Sequence, residues 1–451
     1  MGETYLVRTF GCQMNKHDSE RVAGLLSASG MSPVTEAEDA DVVVFMTCCV
    51  REHADERLRG QVASLKSVKN ARSGGQTIAV GGCIGQRDGV RLLEQLPHVD
   101  VVFGTHNVSH LPSLIEAART ARGSVVEVLD ASAEFTSDLP AKREHPWHAW
   151  VPITVGCDNF CTYCIVPHVR GRERSRPLED VVSECERLAA EGVAEVTLLG
   201  QNVNSYGRDL YGAPRFAEAL RAVATTGVQR VRFATSHPKD LSDETIRAMA
   251  EVPEVARSLH LPVQSGSDTL LAAMNRRYTK RSYLDLVGRL YDAMPDLALS
   301  TDIIVGFPGE SEEDFGDTLE VVETARFDQA FTFIYSPRSG TPAVNLPDAV
   351  PREVAQERFD RLVGLVQRSA LEKNRTLVGG VQEVLFTGVS KRDPGVLSGR
   401  SEGNKVVHVQ LPANASAEMF AGRFARVQID EAQTWFLSGY ILDEEPVLEG
   451  R

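Results

Sequence analysis

The chain has 451 residues, 42% apolar and 24% charged, which is too long for one core, so about two to four globular domains are expected. No apolar run approaches the roughly 20 residues of a membrane span and no secretory leader is visible, so a cytoplasmic protein with reduced thiols is expected. A net charge of −14, from 48 Lys and Arg against 62 Asp and Glu, argues against a generic nucleic-acid coat; RNA would have to be met by local basic patches.

The chain opens on alternating strands and helices. Tyr5–Phe10 reads as a strand, followed by a helix from about Asp18 with Val22, Leu25 and Leu26 on one face and Gly30 as its stop. A Val-rich strand at Asp41–Met46, a helix at Arg51–Lys69, a strand at Thr77–Val80, a helix at Arg91–Leu96 and a strand at Val99–Phe103 follow. Repeated units of this kind predict a parallel, doubly wound α/β domain over 1–122. Residues 123–142 are polar and read as an irregular linker.

A second βα series is expected over 143–375. Its strands are Trp150–Val155, Glu195–Leu199, Val231–Ala234, Ser258–Pro262, Ala298–Val305 and Ala330–Ile334, and the amphipathic segment Val354–Arg375 closes it. Six units predict an open, partial barrel, not the closed eight. Over 376–445 the period changes to two, in Val381–Val389, Lys405–Leu411, Arg423–Ile429 and Trp435–Leu442, which predicts a small antiparallel β-barrel of the oligonucleotide-binding type.

Eight cysteines in a reducing compartment are metal ligands, nucleophiles or buried small residues. Cys157, Cys161 and Cys164 share one loop directly after the first barrel strand. Three thiolates on a 4Fe-4S cubane leave one iron open to chelation by the amino and carboxylate groups of S-adenosylmethionine (SAM). The alternative is a structural zinc loop with His168 as fourth ligand. Cys12, Cys48 and Cys83 are far apart in sequence, yet each follows one of the first three strands. The carboxyl ends of parallel strands share one edge, so these thiols converge, and Gly11, Gly81 and Gly82 let the backbone approach a bulky cluster. A second cluster with an open iron is implied, against the alternative of buried small residues. Cys49 competes with Cys48, and Cys185 lies within a helix as a core or surface residue.

Several stretches resemble the methylthiotransferase family of radical SAM enzymes along nearly the whole chain. They are Thr9-Phe10-Gly11-Cys12-Gln13-Met14-Asn15, Thr47-Cys48-Cys49-Val50-Arg51-Glu52 and Gly81-Gly82-Cys83, while the loop Gly156 to Cys164 resembles that of the radical SAM superfamily at large. Leu199 to Gly207, Arg232 to Pro238, His260 to Ser267 and Thr301 to Gly309 continue the match. Within the family the resemblance is to the branch acting on N6-isopentenyladenosine of tRNA. The family's T-C-x-V-R pattern selects Cys48 over Cys49, and Met46 stands where the pattern has Asn.

The resemblance implies an N-terminal cluster domain, a partial barrel and a C-terminal TRAM barrel that helps hold RNA. It implies that the Cys157/Cys161/Cys164 cluster passes one electron to SAM, releasing a 5′-deoxyadenosyl radical that takes hydrogen from C2 of the adenine. The Cys12/Cys48/Cys83 cluster would carry the sulfur, methylated by a second SAM. Strand-end residues Gly200, Gln201, Asn202, Ser236, His237, Gln264, Ser265, Gly266, Asp302 and Gly306 would bind SAM or substrate, His237 without an acid–base role. Implied partners are the tRNA anticodon stem-loop, a low-potential electron donor such as flavodoxin or ferredoxin, and a sulfur source, with no membrane and a monomeric state. Alternative substrates are threonylcarbamoyladenosine in tRNA and a ribosomal protein; the non-enzymatic alternative is a metal-stabilised RNA-binding protein.

Two basic stretches suit RNA. Residues 141–176 carry six Lys and Arg against three acids, with Trp147, Trp150, Phe160 and Tyr163 interleaved; the other stretch is Arg276-Arg277-Tyr278 with Lys280-Arg281. The last domain is net acidic, so its RNA role falls to Lys391, Arg392, Arg400 and Lys405.

Overall fold

The computed structural model describes residues 2–49, 52–71, 75–131, 135–412 and 415–442. The expected helix start at Arg51, residues 132–134 of the expected linker and 443–445 of the expected third domain lie outside them. The chain divides into two units. One comprises 1–144, 150–160 and 164–176; the other comprises 145–149, 161–163 and 177–451.

The first unit is built on six parallel strands: β1 (Thr4–Thr9), β2 (Ser32–Pro33), β3 (Val42–Thr47), β4 (Thr77–Gly82), β5 (Val101–Phe103) and β6 (Val125–Glu127), in the order β2-β1-β3-β4-β5-β6. Every residue of β3 and β4 is buried, as a parallel strand covered on both faces requires. Val43, Phe45, Ile78 and Val80 pack into one core cluster; Val42, Val44, Met46 and Ala79 pack into another, so alternate residues serve opposite faces. Helices α1 (Gln13–Ala28), α2 (Glu52–Ala71), α3 (Cys83–Asp88), α4 (Val90–Gln95) and α5 (Leu111–Ala121) connect the strands. The order reverses at β1 and β3, a switch point whose carboxyl-end crevice is where doubly wound sheets take ligands.

Two expectations are corrected here. Helix α1 begins at Gln13, not near Asp18, which puts Cys12 at its N-cap; the polar first turn hides the start because Met14 and Asn15 are buried toward the site. Val125–Glu127, expected in an irregular linker, is the sixth strand, too short for its alternation to register in sequence.

The chain continues through β7 (His148–Pro152), β8 (Thr154–Val155), α6 (Val166–Arg170) and β9 (Arg174–Ser175), with β8 and β9 forming an antiparallel pair in the first unit. The second unit adds β10 (Glu195–Leu199), β11 (Arg230–Phe233), β12 (Ser258–His260), β13 (Ala298–Val305) and β14 (Gln329–Ile334). They form two three-stranded sheets, β11-β10-β7 and β12-β13-β14, and a single bridge from Val231 to Val255 links β11 to the segment before β12. Prolines at 253 and 262 lack the N–H a longer β12 would need, so the expected strand end at Pro262 retreats to His260. Between and after the strands lie α7 (Leu178–Ala190), α8 (Arg208–Tyr211), α9 (Phe216–Ala224), α10 (Asp243–Glu251), α11 (Asp268–Ala273), α12 (Lys280–Ala293), α13 (Glu312–Ala325) and α14 (Arg352–Arg375).

The C-terminal strands β15 (Val381–Val389), β16 (Val396–Ser401), β17 (Val406–Gln410), β18 (Phe424–Ala432) and β19 (Phe436–Ile441) close into a barrel ordered β15-β16-β17-β19-β18. Directions cannot alternate around a ring of odd number, so one pairing must be parallel, and it is β17 with β19. Arg232 fixes this barrel to the partial one, donating to the Ser401 and Glu402 carbonyls at 2.7 and 2.8 Å, while Arg230 reaches Glu383 at 3.0 Å. Both arginines also face Glu195, at the amino ends of β10 and β11.

Candidate functional site

At the carboxyl edge of the first sheet, four thiols meet in pairs. Cys12 is hydrogen-bonded by Cys48, and Cys83 by Cys49. Gly11 makes the first approach possible: its φ is +111°, and a Cβ there would lie 2.0 Å from the Cys48 Cβ. Gly82 does the same for the second, with φ +84° and a Cβ position 2.7 Å from the Thr47 carbonyl. The Thr47 hydroxyl donates to the Gly81 carbonyl at 2.6 Å and accepts the Ile84 amide at 3.2 Å, so the residue before Cys48 fixes the turn carrying Cys83. Met46, in place of the family's Asn, is fully buried in the apolar core.

This edge is built for anionic sulfur. The Cys48 thiol, then Arg170 and the backbone amides of Asn15 and Met14, hold Cys12 down to about 6 against the effect of burial. Cys83 is lowered by Cys49 first and then by Arg170, while its partner Cys49 is pushed well up. Arg170 itself is 4% exposed and donates to Asp18 at 3.0 Å and Asn15 at 2.8 Å. Among the described residues no three His, Cys, Asp or Glu side chains are gathered as a ready-made metal site. The donor chemistry and the glycine cradle nevertheless fit a sulfur-ligated inorganic group at Cys12, Cys48 and Cys83.

In the loop after β8, Cys157 donates its amide to the Gly171 carbonyl at 3.1 Å, and Arg172 clasps Asp158 at 2.6 and 3.0 Å while lying over Phe160. Cys164 and Cys157 are half-buried and Cys161 is buried, its sulfur 3.5 Å from the Arg276 guanidinium. His168, the fourth ligand a zinc loop would need, is exposed on α6, and Cys185 is a core residue.

In the second unit the loops after β10 and β11 interlock. Asn202 donates to Asp240 at 2.7 Å, and Asn204 accepts the His237 amide at 3.0 Å. Among the described residues, Asn202 Oδ1, Asn204 Nδ2, Ser236 Oγ and His237 Nε2 are buried without a hydrogen-bond partner. Four such atoms at adjacent strand ends are expensive unless a ligand meets them. Burial, then Arg276 and Lys239, push His237 down to about 2, and its Nδ1 accepts the Lys239 amide, so the neutral ring presents Nε2–H. Asn204 lies within the Leu199 to Gly207 stretch of the resemblance but is not among the residues expected from sequence to bind SAM or substrate; its place in the same strand-end loop as Asn202 points to it.

The remaining expected residues divide. Gly200 is buried and Gln201 half-buried beside this constellation in sequence. Gln264, at φ +70°, bridges to Ile303, and Asp302 faces His260 at 3.3 Å. Ser265 lies against Thr318, which also accepts the Gly266 amide at 2.9 Å, and the Gly306 amide goes to Glu310 at 2.8 Å. Those two glycine amides are thus engaged inside the protein, where a Cβ would also collide, at 2.3 Å with Asp317 and 2.7 Å with Ala355.

The expected basic patches are largely corrected. Arg276 is buried on Cys161, the Pro262 carbonyl and Tyr278, and Lys280 is paired with Asp317 and Glu320. Arg170 and Arg176 are buried too, and Lys405 is tied to Asp328 at 2.6 Å. Each cation is drawn inward by a carboxylate, carbonyl or sulfur that sequence distance conceals. Lys391, Arg392 and Arg400 are exposed, as are Trp435 and Tyr440 on the same barrel. Among the described residues no helix is long and apolar enough to cross a membrane.

Family models match in three consecutive parts: uncharacterized protein family UPF0004 over 4–104, the radical SAM superfamily over 151–322 and the TRAM domain over 375–442. The radical SAM methyltransferase TsrM of Kitasatospora setae aligns with a TM-score of 0.55 over 76% of this chain and 77% of that one, at 16% identity, which speaks to the fold alone. A tRNA-2-methylthio-N(6)-dimethylallyladenosine synthase of Acidothermus cellulolyticus is 54% identical over 90% of this chain and 82% of its own length. One of Acetivibrio thermocellus is 46% identical over 97% and 91%. With its three matched parts in this order and relatives this similar over most of both lengths, the chain belongs to the tRNA-2-methylthio-N(6)-dimethylallyladenosine synthase family of radical SAM enzymes.

Proposed function

We propose that this protein places a methylthio group on C2 of an N6-isopentenyladenosine next to the anticodon of tRNA. The names of the two curated relatives give that modified nucleoside as their product, and their identity to this chain supports the same substrate. What supports the reading is that Cys12, Cys48 and Cys83, from three distant sequence positions, each follow a strand whose carboxyl end lies on one edge of the first sheet, where Gly11 lets Cys12 lie close to Cys48.

Cys157, Cys161 and Cys164 would hold one 4Fe-4S cluster and Cys12, Cys48 and Cys83 a second; when bound, these groups supply the electron that cleaves SAM and the sulfur that is transferred. The chain's own residues do the positioning. Gly11 and Gly82 let the sulfurs close on their partner, and the α1 amides and Arg170 favour thiolates over thiols. Asn202, Asn204, Ser236 and His237 offer hydrogen bonds to the polar part of SAM or to the adenine edge. The β15–β19 barrel presents Lys391, Arg392, Trp435 and Tyr440 to RNA. The protein would work as a cytoplasmic monomer, taking electrons from a flavodoxin or ferredoxin and sulfur from a separate donor.

Anaerobic turnover with SAM, a reductant and isopentenylated tRNA tests this. Cys157→Ala should abolish SAM cleavage; Cys12→Ala should retain cleavage and lose the 2-methylthio product by nucleoside mass spectrometry. Equal cleavage by wild type and Cys157→Ala would overturn the assignment.

A further inference from the structure

Arg170 and Arg176 turn inward, but an aromatic ring of the same stretch faces outward. Phe160, three residues after Cys157, is 45% exposed. Its φ is +47°, a backbone region that a bulky L side chain enters only at a cost. Among the described residues, Phe160 is the one that combines a large exposed apolar side chain with a positive φ. Two unfavourable features at one position, in the loop between Cys157 and Cys161, point to a role outside the fold.

The ring is backed by a fixed cation. The Arg172 guanidinium lies 5.6 Å from its centroid. Asp158 accepts from Arg172 Nε and Nη2 at 2.6 and 3.0 Å, and from the Glu173 amide at 3.1 Å. Behind this clasp the loop is closed by the β8–β9 pair, in which Val155 stands opposite Arg174, and by the Cys157 amide on the Gly171 carbonyl. Gly156, at φ +80°, permits that closure, because a Cβ there would lie 2.0 Å from the Arg172 carbonyl. Asp158 and Arg172 therefore hold their places through the strand pair, and Phe160 lies against a support that is already built.

Charge decides between two kinds of partner. Asp158 and Glu173 balance Arg172 and Arg174 in the segments beside the ring, so there is no field of one sign to steer an acidic electron carrier. A nucleobase needs only a π face, and unpaired RNA bases are held on aromatic rings and guanidinium planes. Chemistry on a ring atom of an adenine takes that base out of its stack, which strips a neighbouring base of its partner.

We propose that Phe160, supported by Arg172, is a stacking platform for an unpaired base flanking the target adenosine. This rests on the reading above that the substrate is the anticodon loop of tRNA. The platform would hold the neighbour in place of the displaced adenine and so set the register in which the loop enters.

The test uses the full chain, reconstituted anaerobically with iron and sulfide, and isopentenylated anticodon stem-loops carrying 2-aminopurine on one or the other side of the target. Stacking on an aromatic ring quenches 2-aminopurine, so the bound RNA reports the contact without turnover. Wild type and Phe160→Tyr should quench one of the two positions. Phe160→Leu, apolar but without a π face, should lose the quenching and raise KM for the stem-loop about tenfold, with a smaller change in kcat and with iron content retained. Arg172→Gln should raise KM about two- to fivefold. If Phe160→Leu loses iron, Phe160→Trp decides: it should deepen the quenching and lower KM, and a Trp variant equal to wild type in both would overturn the platform. Wild-type quenching and KM in an iron-replete Phe160→Leu protein would overturn it too. So would an unchanged KM with reduction by flavodoxin slowed and reduction by dithionite unaltered, which would make the ring a docking point for the electron carrier. Wild-type protein that quenches but forms no methylthio product would overturn the substrate reading and leave the stacking contact standing.

Discussion

The thiol edge of the first unit and the strand ends of the second both bury polar chemistry, but with opposite electrostatics. Around Cys12 and Cys83 a charged guanidinium, a charged carboxylate and helix amides are packed together, and the thiols are drawn toward their anionic form. Around His237 the polar atoms are neutral: two amides, a hydroxyl and an imidazole kept from protonating by burial and by Arg276 and Lys239. The first arrangement suits an anionic inorganic group held by several ligands. The second suits a polar organic ligand recognised by hydrogen bonds, for which orphaned donors and acceptors are a standing cost until it arrives.

The comparison breaks most severely at Gly11, where the thiol edge has no slack. Gly11→Ala places a Cβ on Cys48 and strains a backbone at φ +111°, together costing about 2–6 kcal/mol. The expected outcome is loss of the iron held by the N-terminal thiols, with SAM cleavage retained, read by iron assay and 5′-deoxyadenosine formation. Full iron content in a folded Gly11→Ala protein would show that Cys12 and Cys48 need not approach each other.

The neutral region is most sensitive to acid. The folded pKa of His237, about 2, lies below its ordinary 6.5, so below pH 6.5 the unfolded chain takes up a proton that the folded chain refuses. Its contribution is fully present above pH 6.5 and shrinks as pH falls, reaching a loss of about 3 kcal/mol at pH 4.5. Denaturant melts between pH 7 and 4.5 should show this, and His237→Gln should flatten the slope over that window. An unchanged slope in His237→Gln would place the titrating group elsewhere.

How far these sites could be read from sequence depends on how local their causes are. The six barrel strands and the placing of cysteines after strands follow from short periodic runs and adjacent turn residues. Strand β16 escaped because Gly399 interrupts it; a Cβ there would meet the Leu385 carbonyl at 2.7 Å, so the glycine is set by a neighbouring strand. Arg276 and Lys280 read as a surface patch because their partners, Cys161, Pro262, Asp317 and Glu320, are brought to them only by tertiary folding. Buried polar residues carry no periodic signal, and their meaning lies in contacts across long stretches of chain.

Ser236 offers a milder probe of the neutral region. Its hydroxyl is buried without a partner among the described residues, so Ser236→Ala should raise the stability of the ligand-free protein by about 1 kcal/mol. The same change should raise the KM for SAM or tRNA several-fold while leaving iron content untouched. A destabilised Ser236→Ala protein with unaltered KM would make the hydroxyl structural.

The smallest expected effect separates cations that are committed to the fold from those that face solvent. Lys405 is bound to Asp328 beside Lys373, so Lys405→Met should lower thermal stability and leave the salt dependence of tRNA binding unchanged. Lys391 and Arg392 are exposed at the turn between β15 and β16. Replacing Lys391 by Ala should weaken tRNA binding about two- to fourfold and reduce the slope of log K against log salt by about 1, with no change in melting temperature. An equal slope in Lys391→Ala and the parent would move the RNA contact away from this turn, toward the exposed faces of Trp435 and Tyr440, where stacking carries little salt dependence.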